Sequence, residues 1–357
     1  MKPNANLAAL DAEALQYWIA RLLADGIDFN DIEAVRERLG RWEEWPKAWA
    51  ERGDRYLAWA RECLARGHRL TAGESLVRAS LCYHFGQIAA LHDPAARADL
   101  QRRKVEAFRE AGPLLRPAAE RFEVPWRKLR LPGYLRLPEG ARPVPCVVLI
   151  PGLDATKEDF FTLSEMCLRR GLATFAFDGP GQGEMRPLSP LVDGYESSIL
   201  AVVEALAARP EIDRQRTALL GRSLGGHYAL RAAAAEPRVA AAVVFGGFHD
   251  LSHWETMPPM TREGFRQALG AATEQEARRR LAWANLEGVL GFVHCPVLVV
   301  HGKRDAIIPW YQAERIATEL PAGATFLLDP DGVHCCHNNA SRYRTAMADW
   351  LATTLRS

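Results

Sequence analysis

The residues with the strongest claim to chemistry are Gly221-Arg222-Ser223-Leu224-Gly225. This G-x-S-x-G follows the apolar run Thr217-Ala218-Leu219-Leu220 and precedes Gly226-His227-Tyr228-Ala229-Leu230-Arg231, which reads as a helix. In a strand–turn–helix context the strained turn lifts the serine hydroxyl clear of the sheet, and the new helix aims its first N–H groups at the reacting centre. Glycines flank the serine because larger side chains would clash with the adjoining strand and helix. A serine is a weak nucleophile without a base and a group to orient that base. Downstream, the buried strand Pro296-Val297-Leu298-Val299-Val300-His301-Gly302 runs into Lys303-Arg304-Asp305, and the loop after the next strand holds Gly332-Val333-His334. Ser223 as nucleophile, Asp305 as orienting acid and His334 as general base follow the chain order expected for such a site.

Competing residues are present. His337 lies three positions past His334, and Asp178 and Asp250 each follow a strand. His334-Cys335-Cys336-His337 offers soft ligands, but four neighbouring residues cannot readily wrap a tetrahedral ion and no second cluster stands at zinc-like spacing, so no metal and no cofactor are expected. His227, His294 and His301 read as packing residues. An oxyanion hole takes one N–H from the residue after the nucleophile, Leu224, and one from the loop after an earlier strand. That strand is Cys146-Val147-Val148-Leu149-Ile150, its loop is Pro151-Gly152-Leu153-Asp154-Ala155-Thr156-Lys157-Glu158, and Leu153 is the second donor by position. The turn Asp178-Gly179-Pro180-Gly181-Gln182-Gly183-Glu184 has the wrong spacing for a dinucleotide or phosphate loop and reads as a turn shaping the floor of the pocket.

The elements that must hold these residues fall into two parts. Residues 1–122 read as an all-α domain, a cap or dimerisation unit, with six of the ten tryptophans in residues 1–126. Tyr56, Trp59, Cys63 and Leu64 form an apolar helical stripe, and Thr71-Ala72-Gly73-Glu74 reads as a capping box opening the next helix. No 34-residue period supports a tetratricopeptide array. Residues 123–357 alternate strands and helices, the pattern of a doubly wound, mostly parallel α/β sheet whose ligands bind at the carboxyl ends of the strands. A largely helical stretch of about residues 248–292 interrupts the alternation and reads as a lid. Phe248, Trp254, Glu255 and Met257 at its start either face substrate or pack the lid onto the core.

The composition is 48% hydrophobic and 25% charged with a formal net charge of +1, that of a globular protein with no electrostatic case for nucleic acid or an anionic membrane. No apolar run reaches the ~20 residues that span a bilayer. Seven scattered cysteines and a start without a signal-peptide pattern point to reduced thiols in the cytoplasm.

The motifs PGLDATKE at 151–158, DGPGQGE at 178–184, GRSLGG at 221–226, HGKRD at 301–305 and GVHCCHN at 332–338 resemble one branch of the α/β-hydrolases. That branch contains 2,6-dihydropseudooxynicotine hydrolase, the fungal heptaketide hydrolyases and the fermentation–respiration switch proteins. The helical leader matches through Thr71-Ala72-Gly73-Glu74-Ser75 and Arg78-Ala79-Ser80. The residues point to a serine hydrolase acting on a small molecule, the helical leader caps the site, builds a homodimer interface or does both, and the resemblance tilts the reaction toward cleavage of a C–C bond beside a carbonyl in a ketone-bearing aromatic or polyketide-like compound. Glu255, or else Asp250, is then the expected extra acid for protonating the leaving carbon. A carboxylesterase acting on a small apolar ester is the alternative. A non-catalytic binding or regulatory protein on the same scaffold is the lesser one, since such a protein is expected to have lost part of the serine, acid and histidine set.

Overall fold

The computed structural model describes residues 18–39 and 41–356. The chain divides into two compact units, Met1–Ala118 and Ala119–Ser357.

Within the described residues of the first unit lie the helices α1 (Phe29–Arg36), α2 (Trp45–Ala65), α3 (Arg69–Ile88) and α4 (Pro94–Ala111). Helices α2 and α3 pack closely because Gly53 leaves room for the Tyr83 ring; a Cβ there would lie 2.3 Å from it. The buried stripe of α2 is Trp45, Ala48, Trp49, Gly53, Ala60 and Cys63, so Trp59 faces solvent rather than the interior. The expected capping box is not one. Helix α3 already begins at Arg69, with His68 as its N-cap after the left-handed Gly67, which places Thr71 and Glu74 inside its first turns.

The second unit is built on one eight-stranded sheet in the order β1-β2-β4-β3-β5-β6-β7-β8. Its strands are β1 (Ala119–Trp126), β2 (Leu129–Arg136), β3 (Val144–Ile150), β4 (Ala173–Phe177), β5 (Ile212–Arg222), β6 (Val239–Phe245), β7 (Val297–Gly302) and β8 (Thr325–Asp329). Strands β3 to β8 pair in parallel, and β2 runs antiparallel to both β1 and β4. Residues 119–122, assigned to the helical domain by sequence, belong instead to β1. Pro125 is tolerated there because β1 is an edge strand, where one ladder hydrogen bond can be missing.

The sheet is buried on both faces, and the two-residue period of the strands divides its side chains between two cores. Val148 and Ile150 of β3 join Leu219, Val244 and Val299 on one side. Val147 and Leu149 join Leu220, Val243 and Val300 on the other. The helices α5 (Phe161–Leu168), α6 (Glu196–Ala207), α7 (Leu224–Ala235), α10 (Tyr311–Glu319) and α11 (Ala340–Thr354) flank the sheet. Helices α6, α7 and α10 cover the first face, and α5 and α11 the second. The insertion after β6 carries α8 (Pro259–Ala268) and α9 (Glu274–Arg280). Thr273 caps α9 by accepting from the Glu276 N–H, and the Glu276 carboxylate accepts in return from the Ala272 N–H.

Candidate active site

Ser223 sits between β5 and α7 with φ 56° and ψ −122°, a backbone strain of roughly 1–3 kcal/mol for a residue with a side chain. Close packing enforces the turn. A Cβ on Gly221 would meet the Gly225 carbonyl oxygen at 1.9 Å, and one on Gly225 would meet that of Ile150 at 2.2 Å. Both obstacles are backbone, so only glycine fits.

Asp305 follows β7. Its Oδ1 accepts from the N–H groups of Ile307 and Ile308 at 2.8 and 2.9 Å, and its Oδ2 accepts from His334 Nδ1 at 2.7 Å. The two loops are pressed together: a Cβ on Gly302 would lie 2.3 Å from the Gly332 oxygen, and Arg304 N–H donates to that same oxygen at 2.9 Å. Burial alone would raise the Asp305 carboxyl, but His334, His301 and the Ile308 N–H outweigh it and hold it below its ordinary value. Burial likewise opposes a charge on His334, yet Asp305 dominates and lifts the imidazole well above its ordinary range. With Nδ1–H given to Asp305, the neutral ring keeps its lone pair on Nε2, the arrangement of a general base.

One carbonyl links the Ser223 turn to the segment that follows His334. The Phe245 oxygen, at the end of β6, accepts the Ser223 N–H at 2.8 Å and the Cys335 thiol at 3.3 Å. Cys335 directly follows His334, and both it and Cys336 take left-handed backbone, φ 51° and 43°. The kink separates the four side chains of the His-Cys-Cys-His run. His334 turns to Asp305, Cys335 to Phe245, and His337 to the Arg344 guanidinium at 3.2 Å. His337 therefore has a cation where a base needs its carboxylate.

The other candidate acids are engaged elsewhere. Asp250 holds Arg315, Gln312 and the Ser252 N–H. Asp178 accepts from both the backbone N–H and the ammonium of Lys157. Among the described residues, Glu158, Asp178 and Glu184 are close enough together to suggest a metal site. The fully buried Lys157 ammonium already serves as their cation, at 2.7, 2.6 and 2.7 Å.

The loop expected to supply an oxyanion donor lies against Ser223. A Cβ on Gly152 would stand 3.2 Å from Ser223 Cβ, with Leu153 next in the chain and Leu224 opening α7. Leu153 in turn meets the insertion, since a Cβ on Gly264 of α8 would be 3.2 Å from Leu153 Cδ2. Sequence reasoning treated Gln182 only as part of a floor turn, but its side chain holds this loop. Its Nε2 donates to the Pro151 and Gly152 oxygens, both at 2.8 Å, while its Oε1 accepts from Gly179 N–H at 3.1 Å and Tyr195 O–H at 2.6 Å. Arg222, beside the nucleophile, donates to the buried Asp159 at 2.5 Å. His301, read from sequence as packing, is bonded through Nε2 to the Ile308 oxygen at 2.9 Å, and that nitrogen lies 3.3 Å from Asp305 Oδ2. The only signal for any of these was a polar residue inside a motif.

One expectation about the insertion needs correction, and one left open is narrowed. Glu255 is not directed at the site: its carboxylate is 69% exposed and pairs with Arg278 at 2.5 Å, because the short helix carrying it turns that face to solvent. For Phe248, Trp254 and Met257, the packing alternative is the one observed, all three being buried in the core. Phe248 stacks on His227 at 4.8 Å, and Trp254 tilts against Phe265 at 5.8 Å.

Comparison with known proteins fits this geometry. The chain is 38% identical over 337 residues to 2,6-dihydropseudooxynicotine hydrolase of Paenarthrobacter nicotinovorans, covering 94% of this chain and 91% of that one. A crystal structure described as 2,6-dihydroxy-pseudo-oxynicotine hydrolase superposes with a TM-score of 0.89 at 39% identity, covering 94% and 95% of the two chains. The 20-hydroxy-prefusarin hydrolase of Gibberella moniliformis is 34% identical over 234 residues, 61% of this chain and 55% of its own. These likenesses and the sheet make the protein an α/β-hydrolase. The family model described as FrsA-like esterase matches residues 20–356, and the chain belongs to that family.

Proposed function

We propose that Ser223, His334 and Asp305 form the catalytic triad of a serine hydrolase that cleaves a C–C bond beside a carbonyl in a ketone-bearing aromatic or polyketide-like small molecule. The observation that carries this reading is the shared Phe245 oxygen, which joins the strained Ser223 turn to the residue following the Asp305-bound His334. In the reaction, His334 Nε2 takes the hydroxyl proton as Ser223 Oγ bonds to the carbonyl carbon. The N–H groups of Leu153 and Leu224 hold the developing oxyanion. Collapse of the tetrahedral intermediate breaks the C–C bond. Its electron pair passes to a carbon whose neighbouring carbonyl or ring delocalises it, and the proton on His334 returns to that carbon. Water, deprotonated by His334, then releases the acid from Ser223.

The relatives named for pseudooxynicotine and prefusarin compounds support this substrate class. The family's description as esterase keeps ester hydrolysis as the second reading, since only the leaving atom differs. Intact-mass spectrometry after fluorophosphonate treatment tests the nucleophile: one adduct on the wild type and none on Ser223→Ala is expected. A wild type that takes no adduct sinks the mechanism. Turnover of 1-phenyl-1,3-butanedione against p-nitrophenyl acetate separates the two bond types.

No helix among the described residues is long and apolar enough to cross a membrane. A cytoplasmic setting is supported by seven cysteines, none in a disulfide. A homodimer is supported by exposed Phe29, Trp59 and Leu70 on the helical unit. A monomeric mass in light scattering would count against the dimer.

A further inference from the structure

The loop between β6 and α8 carries a group that the proposed mechanism does not use. His253 is 4% exposed, and neither of its ring nitrogens has a hydrogen-bond partner in the protein. Each of the other buried histidines of this unit is tied to one. His227 meets the Phe248 oxygen, His249 meets Glu319, and His301 meets the Ile308 oxygen. His334 meets Asp305, and His337 meets Arg344. Buried polar atoms are ordinarily satisfied, because leaving them unpaired forfeits their hydration. An imidazole with both nitrogens unmatched is thus an expensive way to fill space that an apolar ring would fill better.

Its surroundings connect it with the reacting end of the sheet. The loop leaves the carboxyl end of β6, where ligands of such sheets bind. At its start, a Cβ on Gly246 would lie 2.7 Å from Cys335 Sγ, beside His334. The His253 ring stands edge-on to Phe248 with centroids 6.3 Å apart. Burial is the main influence on its protonation and disfavours the charge; Asp250 and Asp305 favour it, and His301 opposes it. The balance pushes the imidazole down to about 4, so near neutrality it is an uncharged ring with one N–H and one lone pair.

We propose that His253 is a specificity-determining residue that hydrogen-bonds a hydroxyl carried by the aromatic arm of the substrate near the bond that breaks. A neutral ring with one donor and one acceptor matches an ortho-hydroxyl on the aromatic arm of a ketone and has nothing to offer a plain hydrocarbon arm. This assignment rests on the Ser223 site proposed above.

The test is protection of Ser223 from a fluorophosphonate by two probes, 1-(2-hydroxyphenyl)-1,3-butanedione and its phenyl analogue lacking the hydroxyl. In the wild type the hydroxylated probe should protect at about tenfold lower concentration, the size expected for one hydrogen bond to a group otherwise left unpaired. His253→Phe should abolish that difference, and His253→Gln, which keeps a donor and an acceptor, should restore part of it. The adduct that each variant forms shows that its site is folded. Equal protection by both probes in the wild type, or a preference that survives in His253→Phe, overturns the assignment. Absence of any adduct on the wild type instead removes the Ser223 site itself, and this inference with it.

Discussion

Replacing Gln182 by methionine removes every polar contact of that side chain while keeping its length. Four groups then lose the partner described above: the Pro151 and Gly152 oxygens, the Gly179 N–H and the Tyr195 O–H. All four residues are buried, and Tyr195 is completely so, stacked at 3.9 Å on Tyr228. At about 1 kcal/mol each, the lower end of the penalty for an unmet buried group, the loss is about 4 kcal/mol. That is a large share of a typical stability of about 5–15 kcal/mol, so the variant folds with a clearly lowered urea midpoint. The catalytic effect is separate. Gly152 loses its tether directly before the expected donor Leu153, and one misplaced oxyanion donor costs ~10²–10³ in kcat. Urea unfolding and steady-state kinetics on one aryl ester measure both, with KM expected to change far less than kcat. If stability fell as expected while kcat stayed within about threefold of wild type, Gln182 would be a structural tie only, and the oxyanion loop would not depend on it.

The His334–Asp305 pair sets the pH behaviour. As the proposed base, His334 would act only when neutral, and its proton is held more tightly than usual, so kcat/KM should rise with pH through an inflection above the ordinary 6.5. Asp305→Asn should move that inflection down and cut kcat by ~10⁴-fold; an unmoved inflection would mean that another group titrates. In stability, the contribution of His334 is full below its unfolded value near 6.5 and fades as pH rises through its raised folded value. That of Asp305 is present above about 3.8 and fades as pH falls through its lowered folded value. An Asp305→Asn difference in urea midpoint should therefore be widest between about pH 4 and 6.5, and a difference that grew steadily above that range would contradict the pairing. Gly225→Ala puts a methyl 2.2 Å from the Ile150 oxygen and 2.8 Å from that of Pro151. It should lose roughly 1–3 kcal/mol of stability together with fluorophosphonate labelling, and normal labelling would show that the turn tolerates a side chain.

Much of this arrangement was legible because it depends on local pattern. Ser223 is announced by glycines whose absence of a side chain is required within the same turn, and the strands from β3 onward by apolar runs between turns. Asp305 and His334 stand 29 residues apart, yet both follow parallel neighbouring strands, so chain order alone puts them side by side. Edge strand β1 was missed because Pro125 reads as a break and only its pairing with β2 makes it a strand. Trp59 and Glu255 were misplaced because a helical stripe or a short turn fixes spacing but not which way the element is rotated. The role of Gln182 depends on contacts with residues about 30 positions away, and no spacing rule announces those.

The Phe245 carbonyl has a consequence for how this scaffold can change its target. Ser223 and the segment holding His334 are both registered to the last residue of β6, upstream of the whole insertion that ends before β7. Part of the alignment between the Ser223 turn and the His334 loop is thus borne by a main-chain oxygen of the sheet. Changes of length in the exposed parts of that segment are therefore expected to leave the common reference of the Ser223 turn and the His334 loop in place, whereas its core residues Phe248, Trp254 and Met257 must be kept. In such a molecule the tool and the grip are inherited separately, and a grafted insertion should bring a new preference without a new mechanism.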